Sequence, residues 1–334
     1  MRLSQLISAS NAANIKTPKR THSILIYGMP KVGKTELAAT IARLNAVENI
    51  YWFDLENGAD TILDMYRRGR LTEQHLDKIT LIKVPDTREN PTGMETLLKA
   101  IATRNPVTIC EEHGKVACPI CVKAKAEVIE FCHSKLTHKD VIVIDSMSQA
   151  GVSALNMAML GKAQDAKAEW DHYGMQGRFL SDLLTVIQAA QYTNFICITH
   201  VQVLEDESGK DVYSPMCGTK TFSAGVAKYF GSIIYAEMKM KKHKAGSSTQ
   251  YNAMTQAGSR IGIVLEKEDE LDLSIALPKA GLFLEHDNPA SEKSDSSKEV
   301  LQSEPDRKEA EVVLTNSSTD VENKPPVKRF GSKQ

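Results

Sequence analysis

The chain has 334 residues, a formal net charge of -1, 42% apolar residues and 25% charged residues. This composition is ordinary for a globular protein that buries a core, and no extreme points to a special class. The near-zero charge provides no overall field that attracts a polyanion, which counts against a protein that coats DNA with high affinity. Any surface for a polyanion is therefore predicted to be a local patch or loop.

No stretch of the sequence approaches the roughly 20 consecutive apolar residues that cross a bilayer, and the N-terminus lacks an apolar signal core. We therefore expect a cytoplasmic protein with no membrane partner. In a reducing compartment, the six cysteines are expected to be thiols or metal ligands rather than disulfides.

Short apolar runs separated by helical patterns predict an α/β domain. The first run, residues 23–28, ends in glycine and precedes a helical pattern from Glu36. Runs that are apolar throughout and alternate with helices indicate parallel strands covered on both faces. The other predicted strands are residues 50–54, 80–84, 141–145 and 195–199.

Changes in composition divide the chain into an N-terminal extension (1–20), a core (21–284) and a tail (285–334). After residue 213 the core is expected to extend its sheet with a hairpin. The tail is rich in Ser, Glu, Asp, Lys and Pro, with little to bury, so it is predicted to be disordered. Its basic end contains Phe330 and is either a docking peptide for a partner or a solvated chain end.

An octapeptide between the first predicted strand and helix carries the strongest chemical signal. Its glycines let backbone N–H groups wrap phosphates at the positive end of a helix. We predict that it binds ATP, that Lys34 contacts the β and γ phosphates, and that Thr35 binds Mg²⁺. A glycine-rich turn without a ligand is the alternative. The residues, which fit G-x-x-x-x-G-K-[ST], are Gly28, Met29, Pro30, Lys31, Val32, Gly33, Lys34 and Thr35.

Asp145 ends the apolar run 141–145, at the carboxyl edge where parallel sheets bind ligands. With a phosphate loop upstream, this carboxylate is predicted to hold Mg²⁺ through water, and Ser146 is expected to assist it. An aspartate that merely ends a strand is the alternative.

The order of these and further motifs resembles that of phage-encoded RecA-core ATPases, including single-strand annealing ATPases. The resemblance spans roughly residues 20–240. Besides the phosphate loop it rests on DLENGAD, VIVIDS, WDHYG, ITH and GKDVYSPMCGTKTFSAGVAKYF. It implies an α/β RecA-like P-loop NTPase core with a mostly parallel sheet, a homo-oligomer, and action on single-stranded DNA in the host cytoplasm.

The resemblance also implies roles for single residues. Glu56, just beyond a predicted strand, takes the place of the glutamate that polarises the attacking water, with Asp54 as the competing candidate. His200 takes the place of the polar residue that senses the γ phosphate. A histidine that only satisfies the core or surface is the alternative interpretation.

Two segments, after Asp145 and after His200, lie where the resembled family places its DNA-binding loops. The second, residues 205–218, has mixed charge and many turn formers, and an ordinary mobile connection is the alternative. The candidate DNA contacts are Lys210 and Tyr213 in this segment and Lys220, two residues beyond it.

The resemblance favours an ATPase that promotes annealing or strand pairing in phage recombination or replication. A nucleotide switch that does not bind DNA and a packaging-related motor are the alternatives. By the same resemblance, Lys220, Lys228 or Arg178 reaches the γ phosphate bound by a neighbouring subunit.

Residues 107–133 contain Cys110-x2-His113 followed by Cys118-x2-Cys121. Two such pairs predict a tetrahedral Zn²⁺ site, and four protein ligands indicate a structural site in a small insertion. Cys132 or His133 is a substitute ligand, while a redox CxxC and incidental cysteines are alternatives.

Overall fold

The computed structural model describes residues 21–103, 105–205, 209, 211–243, 246–255 and 272–279. The predicted N-terminal extension (1–20), the predicted tail (285–334) and Lys210 lie outside these residues. The predictions made for those segments, including a docking partner for the tail, therefore stay predictions.

The ten strands of the described residues include the five that the sequence located individually. They are β1 (Ser23–Gly28), β2 (Asn49–Asp54), β3 (Ile79–Lys83), β4 (Val107–Cys110), β5 (Val128–Phe131), β6 (Asp140–Asp145), β7 (Asn194–Glu205), β8 (Asp211–Pro215), β9 (Ser232–His243) and β10 (Gly246–Thr255).

The α-helices of the same residues are short or medium in length. They are α1 (Lys34–Ala39), α2 (Ala59–Arg67), α3 (Glu73–Leu76), α4 (Thr92–Leu97), α5 (Pro119–Ala124), α6 (Met147–Ala158), α7 (Trp170–Ala189), α8 (Lys220–Ala224) and α9 (Leu273–Lys279).

The main sheet has the order β10-β9-β1-β7-β6-β2-β3, and β8 pairs with β7. The strands from β9 to β3 are parallel to their neighbours, whereas β10 and β8 are antiparallel to theirs. The predicted α/β class with a mostly parallel sheet is confirmed. β4 and β5 form a separate antiparallel pair.

Helices cover both faces of the sheet because successive strand residues point to opposite sides and both sets are apolar. One face, with Ile24 and Ile26 of β1, packs against α1, α2 and α9. The other face, with Leu25 and Tyr27, packs against α4, α6 and α7. Burial on both sides explains why these strands appear in the sequence as continuous apolar runs.

The register of the parallel strands aligns their carboxyl ends. Gly28 at the end of β1 pairs with His200 of β7, and Asp54 at the end of β2 pairs with Asp145 of β6. β7 lies between β1 and β6, so it adjoins both the phosphate loop and the Asp145 strand. One edge of the sheet therefore gathers most of the residues predicted to act on a nucleotide.

Two segments differ from their predicted form. The segment predicted as a flexible loop, residues 205–218, contains β8, and β7 continues to Glu205 so that the two strands form a hairpin. Backbone pairing with β7 orders β8 although its sequence contains many turn formers. The helical pattern from Glu36 begins at Lys34 and changes after Ala39 to a 3-10 turn.

Within the described residues, no helix combines the length and apolar character required to cross a bilayer.

Candidate nucleotide site and Cys/His cluster

The phosphate loop joins β1 to α1 by a turn that its glycines make possible. Gly33 precedes α1 in the left-handed backbone conformation, with φ 84°. Residues other than glycine rarely adopt this conformation. A Cβ at Gly28 would collide with the carbonyl oxygen of Ala236 on β9. Met29, Pro30 and Lys31 are exposed and Val32 is buried. The loop thus presents backbone N–H groups at the start of a helix, which suits phosphate binding.

Lys34 bends back over the loop. Its Nζ donates to the carbonyl oxygens of Gly28 at 3.1 Å and Met29 at 2.7 Å. Burial lowers the pKa of Lys34, and the carboxylates of Asp145 and Glu56 oppose that shift. This buried ammonium group lies where the loop would present phosphates, and phosphate oxygens can replace the two carbonyl acceptors.

Thr35 and Asp145 form the part of the site that suits a divalent cation. The Thr35 hydroxyl donates to Oδ2 of Asp145 at 3.0 Å. The pKa of Asp145 is raised to about 7, chiefly by burial and also by the carboxylates of Glu56 and Asp54, while the Thr35 hydrogen bond and the Lys34 charge act to lower it. A hydroxyl beside an excess of carboxylates is a donor set that fits Mg²⁺.

Asp54 holds the turn that follows β2. Its Oδ1 accepts backbone N–H groups of Glu56 at 3.2 Å and Gly58 at 2.8 Å, and its Oδ2 accepts that of Ala59 at 3.1 Å. The side chain is buried and oriented by these three bonds. Asp54 therefore shapes the turn from which Glu56 projects, which favours Glu56 over Asp54 as the residue that faces water.

Glu56 contacts the ends of the two neighbouring functional strands. The Ser146 hydroxyl donates to its Oε1, and Nε2 of His200 lies 3.3 Å from its Oε2. Burial acts to raise the pKa of Glu56, but the hydrogen bonds from His200 and Ser146 and the charges of His200 and Lys34 outweigh it and lower the pKa. An ionised carboxylate held this way can orient and polarise water.

His200 links this carboxylate to the rest of β7. Its backbone N–H donates to the Ser148 hydroxyl at 2.8 Å, and its carbonyl accepts from Met216 N–H at 2.8 Å. Its buried Nδ1 has no hydrogen-bond partner among the described residues. The ring can therefore exchange its contact with Glu56 for another anionic group without breaking a second side-chain bond.

Sequence reasoning missed a polar cluster beside the site. Oδ1 of Asp86 accepts from Ser153 Oγ at 2.8 Å and from Gly93 N–H at 3.1 Å, while Gln149 Nε2 lies 3.4 Å from its Oδ2. Gln149 also donates its N–H to the Ser146 hydroxyl. Asp86 lies three residues beyond β3. The position of this carboxylate just past a parallel strand is the sequence signal that could have located it.

The residues predicted to reach a neighbouring subunit are all exposed. Arg178 lies on α7, Lys220 begins α8, and Lys228 belongs to a 3-10 turn directly after it. The Lys228 ammonium lies 5.0 Å from the centre of the Tyr229 ring. Their exposure leaves them available to a second chain, and their assigned role stays a prediction.

The four predicted zinc ligands come together within the insertion. One ligand atom from each of Cys110, His113, Cys118 and Cys121 lies within 4.8 Å of the others. The substitute ligands lie elsewhere, because Cys132 contacts the Ser134 hydroxyl and Nδ1 of His133 contacts the Ile101 carbonyl oxygen.

Several solved structures are similar to the chain at low identity. An ATPase of the type III secretion system of pathogenic bacteria is 12% identical over 65% of this chain, with a TM-score of 0.37. The chain spans only 51% of that ATPase. The flagellar accessory protein FlaH from Methanocaldococcus jannaschii is 13% identical, with 71% and 78% of the chains covered and a TM-score of 0.35. The RadB recombinase is 14% identical, with 72% and 90% covered and a TM-score of 0.35.

No curated protein matches the chain. The sequence profile of the AAA domain family, in contrast, matches residues 20–261. That range contains the phosphate loop, Glu56, Asp145 and His200 and covers well over half of the chain. The chain therefore belongs to this family and is an AAA-type P-loop ATPase.

Proposed function

We propose that the chain hydrolyses ATP in response to single-stranded DNA and promotes annealing or strand pairing in phage recombination or replication. The proposal rests mainly on the path of strand β7. It contacts Glu56 through His200 and continues without interruption into the hairpin with β8. A ligand bound at that hairpin acts on the same strand that contacts the candidate base.

The residues of the nucleotide site have distinct roles in this proposal. The loop N–H groups and Lys34 bind the β and γ phosphates, while Thr35 and Asp145 hold Mg²⁺. The ion, when bound, neutralises charge on the phosphates as the γ phosphoryl group departs. Glu56 orients the attacking water and accepts its proton, because its lowered pKa keeps it ionised.

His200 connects this chemistry to the hairpin. The γ phosphate competes with Glu56 for Nε2 of the ring, since both are anions and no second hydrogen bond holds the ring among the described residues. When the ring leaves Oε2 of Glu56, that oxygen becomes available to water. The position of β7 therefore controls whether Glu56 can act.

A groove beside the hairpin supplies a place for nucleic-acid bases. It has a volume of about 390 Å³ and lies between α7 and the segment 219–229. Tyr173, Phe222, Lys228 and Tyr229 are among the residues that line it. Oε1 of Gln176, another lining residue, is buried without a hydrogen-bond partner among the described residues. Aromatic rings and a cation suit stacked bases and phosphates.

The hairpin itself offers further contact area. Val203 on β7 and Val212 and Tyr213 on β8 are exposed. The Tyr213 ring also lies 5.7 Å from the ring of Tyr235 on β9, which anchors the hairpin to the sheet. Because the net charge of the chain is only -1, binding here would depend on local contacts rather than on an overall field.

The proposal includes a homo-oligomer. In it, Lys220, Lys228 or Arg178 of one chain reaches the γ phosphate bound by the next. The exposure of all three side chains supports this arrangement. A cation from a second chain would stabilise charge in the transition state and make hydrolysis depend on assembly.

The test is the rate of ATP hydrolysis with and without single-stranded DNA, with duplex DNA and RNA as comparators. Single strands should raise the rate, and the effect should weaken as salt increases. Absence of both stimulation and binding at low salt would contradict the DNA proposal. The nucleotide switch or the packaging-related motor would then be favoured.

A pair of tyrosine variants locates the DNA contact. Tyr173→Ala should weaken DNA binding, since one base–aromatic stack contributes about 1 to 3 kcal/mol. Tyr192→Ala is the matched control, because Tyr192 is 72% exposed but lies outside the groove. Equal DNA affinity in both variants would remove the groove from the proposal.

A further inference from the structure

The cluster of Cys110, His113, Cys118 and Cys121 takes no part in the proposed hydrolysis of ATP. Nδ1 of His113 lies 3.2 Å from Sγ of Cys121 and 3.9 Å from Sγ of Cys118. A tetrahedral Zn²⁺ with bonds of about 2.3 Å to sulfur and 2.0 Å to nitrogen has ligands about 3.5 to 3.8 Å apart. The cluster therefore has the size of a single ion with its first coordination shell.

Two backbone turns bring the ligands together. In the first, Gly114 adopts φ 59° and donates its N–H to the carbonyl oxygen of Cys110 at 2.9 Å. In the second, Cys118 precedes α5, and its carbonyl accepts from Val122 N–H at 3.0 Å. Each turn presents two side chains separated by two residues toward the other turn, which is the arrangement of paired zinc knuckles.

Three cysteine side chains fill the interior of the insertion tip. Cys110, Cys118 and Cys121 are 2%, 4% and 1% exposed and form a buried cluster of their own, with Ala126 partly buried against it. The base of the hairpin differs, since Ile109 and Phe131 belong to the main core. Apart from Val116, which packs against the main core, the tip buries only three thiols and one methyl group, which offset little of the entropy of ordering it.

We propose that Cys110, His113, Cys118 and Cys121 bind one structural Zn²⁺ ion. Three thiolates and one imidazole are ligands that this ion prefers, and all four coordination positions are filled by protein. The site therefore leaves no position for water or substrate. The free energy of binding the ion stabilises the folded tip.

Other uses of the same residues fit less well. A disulfide would join two of the three buried thiols and leave the third thiol and the imidazole without a role, whereas all the cysteines here are free. A cluster of several iron atoms would hold its ligands farther apart than a single ion does. The observed spacing thus favours a single tetrahedral ion.

The metal would hold the tip against the end of β3. A Cβ at Gly114 would collide with the carbonyl oxygen of Lys83, so the first turn rests directly on that strand. The carbonyl oxygen of Gly114 accepts a hydrogen bond from the buried Thr96 hydroxyl at 2.7 Å. The next residue of the chain after β3, Val84, donates its N–H to Asp54 O at 2.9 Å. Loss of the ion is therefore expected to loosen the tip first and this strand end second.

The decisive measurement is the metal content of the full chain, purified under reducing conditions without chelator. About one zinc per chain is expected, and Cys118→Ser combined with Cys121→Ser should reduce it to near none. Cys132→Ser is the matched control, since Cys132 lies outside the cluster, and it should retain the metal. Wild-type protein that contains no metal while residues 111–127 resist protease would overturn the proposal.

A second pair of variants keeps the test valid if the double substitution misfolds. His113→Cys provides a fourth thiolate and should keep zinc, whereas His113→Ala should bind it more weakly in chelator competition. Replacement of zinc by Co²⁺ should give the absorption bands of tetrahedral cobalt with sulfur ligands. Octahedral cobalt spectra, or equal affinity in the two variants, would contradict the assignment.

Discussion

At the scale of single residues, Glu56→Gln tests the proposed base. The amide keeps the hydrogen bond from Ser146 but cannot take a proton, so ATP should still bind while hydrolysis falls about 100- to 10,000-fold. The measurements are nucleotide affinity and single-turnover hydrolysis. Normal turnover in this variant would mean that another group activates the water.

Asp54 should behave differently although it lies only two residues away. Asp54→Ala leaves the three backbone N–H groups of Glu56, Gly58 and Ala59 without their acceptor. Buried donors without partners are costly, so the free energy of unfolding should fall by about 2 to 4 kcal/mol. Asp54→Asn, which retains one acceptor oxygen, should lose less in the same denaturation experiment. A fully stable Asp54→Ala protein would contradict the structural role.

Lys34→Ala is expected to affect both binding and chemistry. Lys34 is buried and contacts the loop carbonyls, so its ammonium group is held where phosphates bind. Its removal should weaken ATP binding and lower the hydrolysis rate about 100-fold or more. Lys31→Ala is the comparison, because that lysine is exposed on the same loop and should matter less. Similar losses in both variants would refute the distinction.

The sequence located the phosphate-loop pattern but not the contacts that its residues make. The loop pattern identified Gly28 to Thr35 because its spacing is local to one turn. The division of labour between Asp54 and Glu56 depends on backbone geometry that no local pattern encodes. Asp86 was missed because its partners Gln149 and Ser153 lie more than 60 residues away.

At the scale of elements, Arg88 is predicted to hold the connection between α6 and α7. Its Nη2 donates to the carbonyl oxygens of Ala163 at 3.1 Å and Ala166 at 3.0 Å. Arg88→Ala should therefore speed amide exchange across residues 159–169, measured by mass spectrometry. Arg67→Ala, an exposed position on α2, should leave that exchange unchanged. Unaltered exchange in Arg88→Ala would show that other contacts order the connection.

Elements were predictable where burial shapes their composition. β1 and β6 are buried along almost their whole length, and the apolar runs located both. β8 is mostly exposed and depends on its pairing with β7, so its composition indicated a loop. Helix α5 and the turn before it are likewise short, so periodicity could not locate them, whereas the spacing of the predicted zinc ligands marked this region.

At the scale of the whole molecule, a mixing experiment tests the proposed assembly. Lys34→Ala chains lack a working nucleotide site, and chains with alanine at Arg178, Lys220 and Lys228 lack all the candidate cations supplied to a neighbour. Neither should hydrolyse ATP alone, but an equal mixture should recover about a quarter of the sites if assembly is random. The ATPase rate of the mixture is the readout. Activity equal to the sum of the separate samples would contradict a shared site.

The class of the fold followed from the alternation of apolar runs and helical patterns, since a parallel sheet needs helices on both faces. The order of strands did not follow, because β7 inserts between β1 and β6 although it comes after both in the chain. That insertion brings His200 into contact with Glu56. Such juxtapositions depend on packing across the whole sheet rather than on local sequence.

The pairing of Cys110 with Val128 at the end of the small hairpin has a practical consequence. The chain leaves that pair at Glu111 and returns at Glu127, whose carbonyl oxygen accepts the Glu111 N–H at 3.3 Å. A tight Asn-Gly turn can join two such positions. A chain shortened in this way should still hydrolyse ATP with Mg²⁺, and a zinc-selective chelator should not affect its rate. The tip would then be a site at which a tag or reporter could replace residues 111–127.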